Sequence, residues 1–284
     1  MTMHPDTSQG FLDRDGSRLR YCSEGKGRPL FVIGSSRYYP PTFSESLKRS
    51  CRMHFADMRH FAELNGPAAK QALHLNDYLD DIEAIRETLG LEDVVLLGHS
   101  HHGNLALEYA RCFPDSIAGL VLVGTPPCNV AETLAASERY WREQADARRK
   151  SLLTIRRDCL EPDADFVSRY VADAPLYWYD PSYDATWLWE GVPINAAALT
   201  QFKRFFVAQD FARAAAQVTV PVLAITGRHD YIVPPSLWDE HDAPFWSLTR
   251  HCLERSGHTP QLEQAQTFDE CLLTWLNDHT EGPR

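Results

Sequence analysis

The chain has 284 residues, 44% of them hydrophobic and 24% charged, which excludes disordered and fibrous classes and suits one or two globular domains. Its 39 Asp and Glu outnumber 28 Lys and Arg, and a net charge of −11 repels phosphate backbones, so no nucleic-acid partner is expected. The apolar stretches, such as Gly119–Gly124, are too short for a bilayer, and the opening MTMHPDTSQGFLDRDG lacks a secretory-type apolar segment. Seven scattered Cys without CxxC spacing suit reduced thiols, so a cytoplasmic chain with no membrane contact is expected.

Phe11–Arg14 and Arg18–Cys22 flank the turn signal Asp15-Gly16 and read as a hairpin. Leu30–Ile33 reads as a buried strand ending at Gly34, and Met53–Ala56 as another. Leu75, Leu79, Ile82, Ile85 and Leu89 recur at helical spacing, closed by Gly90. Val94–Leu97 is the next strand, followed by a helix over Asn104–Cys112 and a strand over Gly119–Val123. This alternation predicts a mostly parallel, doubly wound α/β sheet covered on both faces. From Cys128 to Gln217 the pattern turns helical and aromatic. Strands return at Pro221–Ile225 and Thr249–Leu253, before a last helix over Pro260–Asn277. The expected organisation is a core of residues 1–127 and 218–284, with a helical cap, 128–217, inserted between the sixth and seventh predicted strands.

The strongest chemical signal is Gly98-His99-Ser100-His101-His102-Gly103, directly after a strand and before a helix. A nucleophile there stands on a tight turn at the carboxyl edge of the sheet, with a helix N-terminus favouring negative charge. A Ser at this position also suits a plain helix N-cap. Asp230 follows the strand Pro221–Ile225, and His258 follows Thr249–Leu253 within Ser256-Gly257-His258-Thr259. The order Ser, Asp, His beyond successive strand ends is acyl-transfer logic: His258 takes the Ser100 proton and Asp230 orients the imidazole. Asp239 and Asp242 are less well placed for that role. Singly, Asp230 also suits a turn and His258 a helix cap. His99, His101 and His102 invite a metal reading, but the segment lacks the acid of an H-x-H-x-D-H site and adjacent side chains diverge. No metal or organic cofactor is expected.

GHSHHG, GRHDYIVP and SGHTPQLE resemble the α/β-hydrolase superfamily over nearly the whole chain. The resemblance implies oxyanion donors at the backbone N–H of Ser35 and His101. Two departures stand out: Ile33-Gly34 replaces the family's His-Gly, and His102 occupies a position that is usually small. Rings and acids at Tyr177, Trp178, Asp180, Asp184 and Trp187 suit a bulky, partly apolar substrate carrying sugars or an amine cation. The rings equally suit a core, and the acids equally suit turns. GSSRYYPPTFS, FADMRHFA, YWREQADARRK and YWYDPSYDA resemble serine-dependent macrolide esterases, which implies ring-opening hydrolysis of a macrolide lactone and a role in antibiotic resistance. A generic carboxylesterase and a proline-iminopeptidase-like hydrolase are the enzymatic alternatives. A ligand-binding receptor on the same fold is the alternative without turnover.

Overall fold

A computed structural model describes residues 8–64, 72–241 and 243–279. Strands β1 (Ser8–Arg14) and β2 (Ser17–Glu24) form the hairpin, with Arg14 opposite Ser17. The two turn residues, Asp15 and Gly16, both have positive φ (46° and 78°), the backbone that matches strand twist in a two-residue turn. There follow β3 (Arg28–Gly34), α1 (Glu45–Ser50), β4 (Cys51–Asp57) and the short β5 (Glu63–Leu64). Next come α2 (Leu75–Thr88), β6 (Val94–His99), α3 (His101–Cys112) and β7 (Ile117–Val123). Between β7 and β8 (Val222–Gly227) the chain is helical: α4 (Val130–Gln144), α5 (Ala147–Asp158), α6 (Phe166–Ala172), α7 (Ala174–Tyr177), α8 (Ala196–Arg204) and α9 (Phe211–Ala215). The chain closes with α10 (Leu237–Glu240), β9 (Leu248–Leu253), α11 (Pro260–Glu263) and α12 (Ala265–His279).

The sheet order is β1-β2-β4-β3-β6-β7-β8-β9, with β5 paired to β2. Every pair from β4 to β9 is parallel, and those of β2 are antiparallel. The period-two rule divides the parallel strands between two cores. Phe31, Ile33, Leu120 and Leu122 join Tyr78, Ile82, Leu105 and Tyr109 of α2 and α3. Their neighbours Leu30, Val32, Val121 and Val123 join Leu47 of α1 and Phe268, Leu272 and Trp275 of α12. Both faces are therefore covered, which is why these strands read as continuous apolar runs.

Two details differ from the sequence reading. The helix after β6 begins at His101 rather than Asn104, because the chain turns into it at Ser100 without a linker. The last helix is two, α11 and α12, with Gln264 between them in a non-helical conformation (φ −128°). Asp242 lies outside the described residues.

Candidate active site

The turn between β6 and α3 leaves no room for side chains behind it. A Cβ on Gly98 would come within 2.3 Å of the His102 carbonyl oxygen and 2.6 Å of Gly103 Cα, so only glycine fits. Ser100 itself has φ 56° and ψ −133°, a region costing a non-glycine residue about 1–3 kcal/mol. Its N–H donates to the Val123 carbonyl (2.8 Å) and its carbonyl accepts from Gly103 N–H (2.9 Å), which pins the turn to the sheet and the helix. Ser100 occupies the N-cap position of α3, yet its hydroxyl accepts no capping bond. The plain N-cap reading fails there, and the hydroxyl is left for the space in front of it.

Asp230 and His258 meet as the sequence order suggested. Asp230, fully buried after β8, accepts from the N–H groups of Ile232 (2.9 Å) and Val233 (2.8 Å) through Oδ1. Its Oδ2 accepts from His258 Nδ1 at 2.6 Å. A carboxylate only accepts, so the imidazole proton is on Nδ1, and Nε2 of the neutral ring is an acceptor. Asp239 instead pairs with Arg250 at the surface (3.0 Å).

Ser100 and His258 line one cavity of about 340 Å³. They are not hydrogen-bonded to each other, a looseness common before a substrate orders a site. The 22 described lining residues come from the end of β6, from the chain just after β3, β4, β6, β8 and β9, and from the helical segment between β7 and β8. That segment supplies Phe166, Tyr170, Tyr177, Trp189, Phe202 and Lys203, among others.

Of the five predicted substrate contacts, only Tyr177 lines this cavity. Trp178 is 1% exposed and packs on Tyr183 (4.5 Å between centroids) within the core under the sheet. Trp187 is 43% exposed, with its indole N–H on Tyr183 Oη. Asp180 closes a turn through Ser182 N–H (2.9 Å) and Oγ (2.6 Å), and Asp184 does the same through Thr186 (3.0 and 2.6 Å). Both acids are spent on their own loops, the alternative already open at the sequence level. His101 lines the cavity, whereas Ser35 is buried outside its lining, although Tyr38 and Tyr39 of the same loop belong to it. Neither the Ser35 nor the His101 N–H donates to another described group.

The three elbow histidines diverge. His101 stacks on Phe206 (5.4 Å, 6°) and bonds Asn104, while His99 and His102 turn inward. Among the described residues, the one grouping with metal-ligand potential is Cys128, Glu132 and His241, within 4.8 Å of one another and outside the cavity lining.

Comparison with known proteins agrees with this scaffold. A family model described as the alpha/beta hydrolase fold matches residues 32–265. The chain belongs to the α/β-hydrolase family. The hydrolase is 36% identical over 276 residues to the AB hydrolase superfamily protein YclE of Bacillus subtilis, covering 94% of this chain and 98% of that one. It is 24% identical to the pimeloyl-[acyl-carrier protein] methyl ester esterase of Aliivibrio fischeri, over 92% of this chain and 98% of the other. Crystal structures of the N-acyl homoserine lactonase AidH share the fold at a TM-score of 0.71 and 19% identity, covering 98% of this chain and 99% of that one. Family membership with esterase-type relatives supports a hydrolytic enzyme.

Behind its cavity the hydrolase carries a hydrogen-bonded relay that sequence reading missed. His99 Nε2 faces the His258 carbonyl at 2.6 Å, and a carbonyl only accepts, so Nε2 carries the proton. Burial holds the His99 ring well below the usual histidine range, so it is neutral and its Nδ1 accepts from Tyr39 Oη–H (3.2 Å). Tyr39 Oη then accepts from His102 Nδ1–H (3.1 Å), and His102 Nε2 accepts from His60 Nε2–H (2.9 Å). Burial keeps His102 at about 3 and His101 at about 4, and holds His60 well below the ordinary value. The single carbonyl of His258 thus assigns every proton along the relay. Gly34 makes room for it: its φ is +137°, and a Cβ there would lie 2.4 Å from Tyr39 and 3.1 Å from the His102 ring. The unusual His102 is a member of this relay.

Two buried carboxylates also went unnoticed. Asp57, at the end of β4, accepts from Ser36 N–H at 2.6 Å and fixes the loop that begins at Ser35; burial raises it to about 6. Glu263 accepts from the N–H groups of Gly257 (2.9 Å), Thr259 (3.3 Å) and Tyr179 (2.6 Å), clamping both sides of His258. Its place five residues after His258, in a Pro-initiated helical turn, was the available signal.

Proposed function

We propose that this hydrolase cleaves carboxylic esters through an acyl-enzyme on Ser100. The observation that carries the reading is His258, paired with buried Asp230, lining the same cavity as an uncapped serine on a strained turn. Ser100 Oγ attacks the ester carbonyl while His258 Nε2 takes its proton; Asp230 holds the imidazole tautomer and stabilises its charged form. The N–H groups of His101 and Ser35 are the proposed donors to the oxyanion. Collapse releases the alcohol with the proton that His258 holds, and water, activated by the same imidazole, then frees the acid. Residues 128–217 are proposed as a helical cap over this site.

The substrate reading favours an ester of modest size. A volume of about 340 Å³ is at the small end for drug-sized ligands, and among the described residues no Asp or Glu lines the cavity to meet an amino sugar. Ring opening of a macrolide lactone, suggested by the sequence resemblance, is the narrower proposal. Incubation of a macrolide panel separates the two: a product heavier by one water supports ring opening, while efficient small-ester cleavage alone leaves a carboxylesterase.

Labelling with an organophosphonate tests the nucleophile. A burst of one equivalent of phenol per enzyme from an aryl ester, and labelling lost in Ser100→Ala, are expected, with turnover in that variant lower by several orders of magnitude. Unchanged labelling in Ser100→Ala would move the nucleophile elsewhere. Tight binding of an ester without release of alcohol would favour the receptor alternative.

A further inference from the structure

We propose that Lys203 makes this cavity selective for esters bearing a carboxylate away from the scissile bond. This rests on the ester-hydrolase reading and adds a substrate class to it.

Among the described residues the cavity wall holds no Asp or Glu, and its histidines are the depressed, neutral rings of the relay together with His101 and the acid-paired His258. Among the described residues, Lys203 is the one Lys or Arg in the lining. It belongs to α8 at the cavity's exposed margin, and among the described residues it has no ion pair or hydrogen bond. Its ammonium instead rests 5.6 Å from the centre of the Phe166 ring. The Trp189 ring packs edge-on against that same phenyl ring (5.1 Å), and its indole N–H is buried without a partner. Two groups that can only donate, the ammonium and the indole N–H, thus belong to residues packed against Phe166, and among the described residues neither has an acceptor.

An acceptor of negative charge completes this arrangement. Lys203 supplies the cation, and Trp189 offers a neutral donor. The ammonium is partly desolvated, which lowers its own proton affinity, and its field also lowers those of His60 and His101. Its charge therefore reaches the His60 and His101 part of the wall. A cationic substrate group would meet repulsion at the same place.

The test uses matched aryl esters of a dicarboxylic acid, one with the distal carboxylate free and the other with it methylated, over several chain lengths. For the wild-type protein, kcat/KM for the free carboxylate should exceed that for the methylated partner at the best chain length, and the preference should shrink with added salt. In Lys203→Met the ratio should fall about 10- to 100-fold, Lys203→Arg should restore most of it, and Lys203→Glu should favour an amine-bearing ester. The same ratio in wild type and Lys203→Met would overturn the proposal. Calorimetry keeps the two readings distinct. A methyl hemiester binding the Ser100→Ala protein, and weakly after Lys203→Met is added, supports the role of Lys203 whatever the chemistry. Equal binding to both proteins refutes it. No hydrolysis of either aryl ester by the wild-type protein would refute the esterase reading itself.

Discussion

At the carboxyl ends of β6, β8 and β9, the residues proposed for catalysis are held mostly by main-chain groups: Ser100 by Val123 and Gly103, Asp230 by Ile232 and Val233, and His258 by Tyr177, with the Glu263 carboxylate as the one side-chain clamp beside it. The helices between β7 and β8 work the other way round, with side chains holding the main chain. Asn129, Asp146, Asp165, Asn195 and Asp210 each cap a helix there. Buried Arg149 donates to the carbonyls of Pro175 (2.7 Å), Trp178 (2.7 Å) and Tyr179 (2.5 Å). Acids and rings in the helical segment are therefore first a means of building it, and a chemical role there has to be read from the cavity wall. In the sheet, a polar residue just past a strand end is already in position for chemistry.

The largest expected effect tests the sheet side of this contrast. Asp230→Asn should lower turnover about 10⁴-fold, by analogy with serine proteases, because an amide favours the wrong imidazole tautomer. Asp239→Asn should leave turnover within twofold, since its partner is the surface residue Arg250. Steady-state kinetics on an aryl ester reads both, and the reverse pattern would move the acid. On the helical side, Trp178→Ala should cost about 3–5 kcal/mol of stability. Per folded molecule it should scale turnover of small and large esters alike; selective loss on a large substrate would return Trp178 to the binding site.

The parallel strands were legible because alternate residues feed two cores, so each reads as an apolar run ended by a turn residue. Gly98, Ser100, Asp230 and His258 were legible for a related reason: strand ends share one edge of the sheet, so chain order alone converts to proximity. Nothing comparable orders the loop Tyr177–Trp187. Tyr177 faces the cavity and Trp178 the core because of how α7 docks, a tertiary fact that neither ring announces. Lys203 was silent in the sequence, being one of two adjacent cations at the end of its helix, and His60 meets His102 across 42 residues of chain.

Smaller effects sharpen the contrast at the boundary between the two regions. Tyr39→Phe removes one hydroxyl that serves two rings, leaving His99 Nδ1 and His102 Nδ1–H without it. A loss of about 1–3 kcal/mol in chemical denaturation is expected, with a more modest fall in turnover. Glu263 gives the smallest signal. Burial raises its carboxyl from 4.5 to about 7, so the folded protein holds a proton that the unfolded chain releases between those values. Its contribution is complete below about 4.5 and is lost as pH rises through about 7. Glu263→Gln should flatten that slope in urea midpoints measured from pH 5 to 8; an unchanged slope would assign the dependence to another group.

The relay from His60 to His258 also bears on reorganisation. Its donors and acceptors admit one arrangement, and burial keeps the His60, His99 and His102 rings neutral through the range in which esterases work. Liquid water beside a reacting carbonyl must turn its dipoles as charge grows on the oxygen. Rings locked by one another and by a backbone carbonyl have already made that turn during folding, so little reorientation is left for this wall to undergo when the substrate reacts.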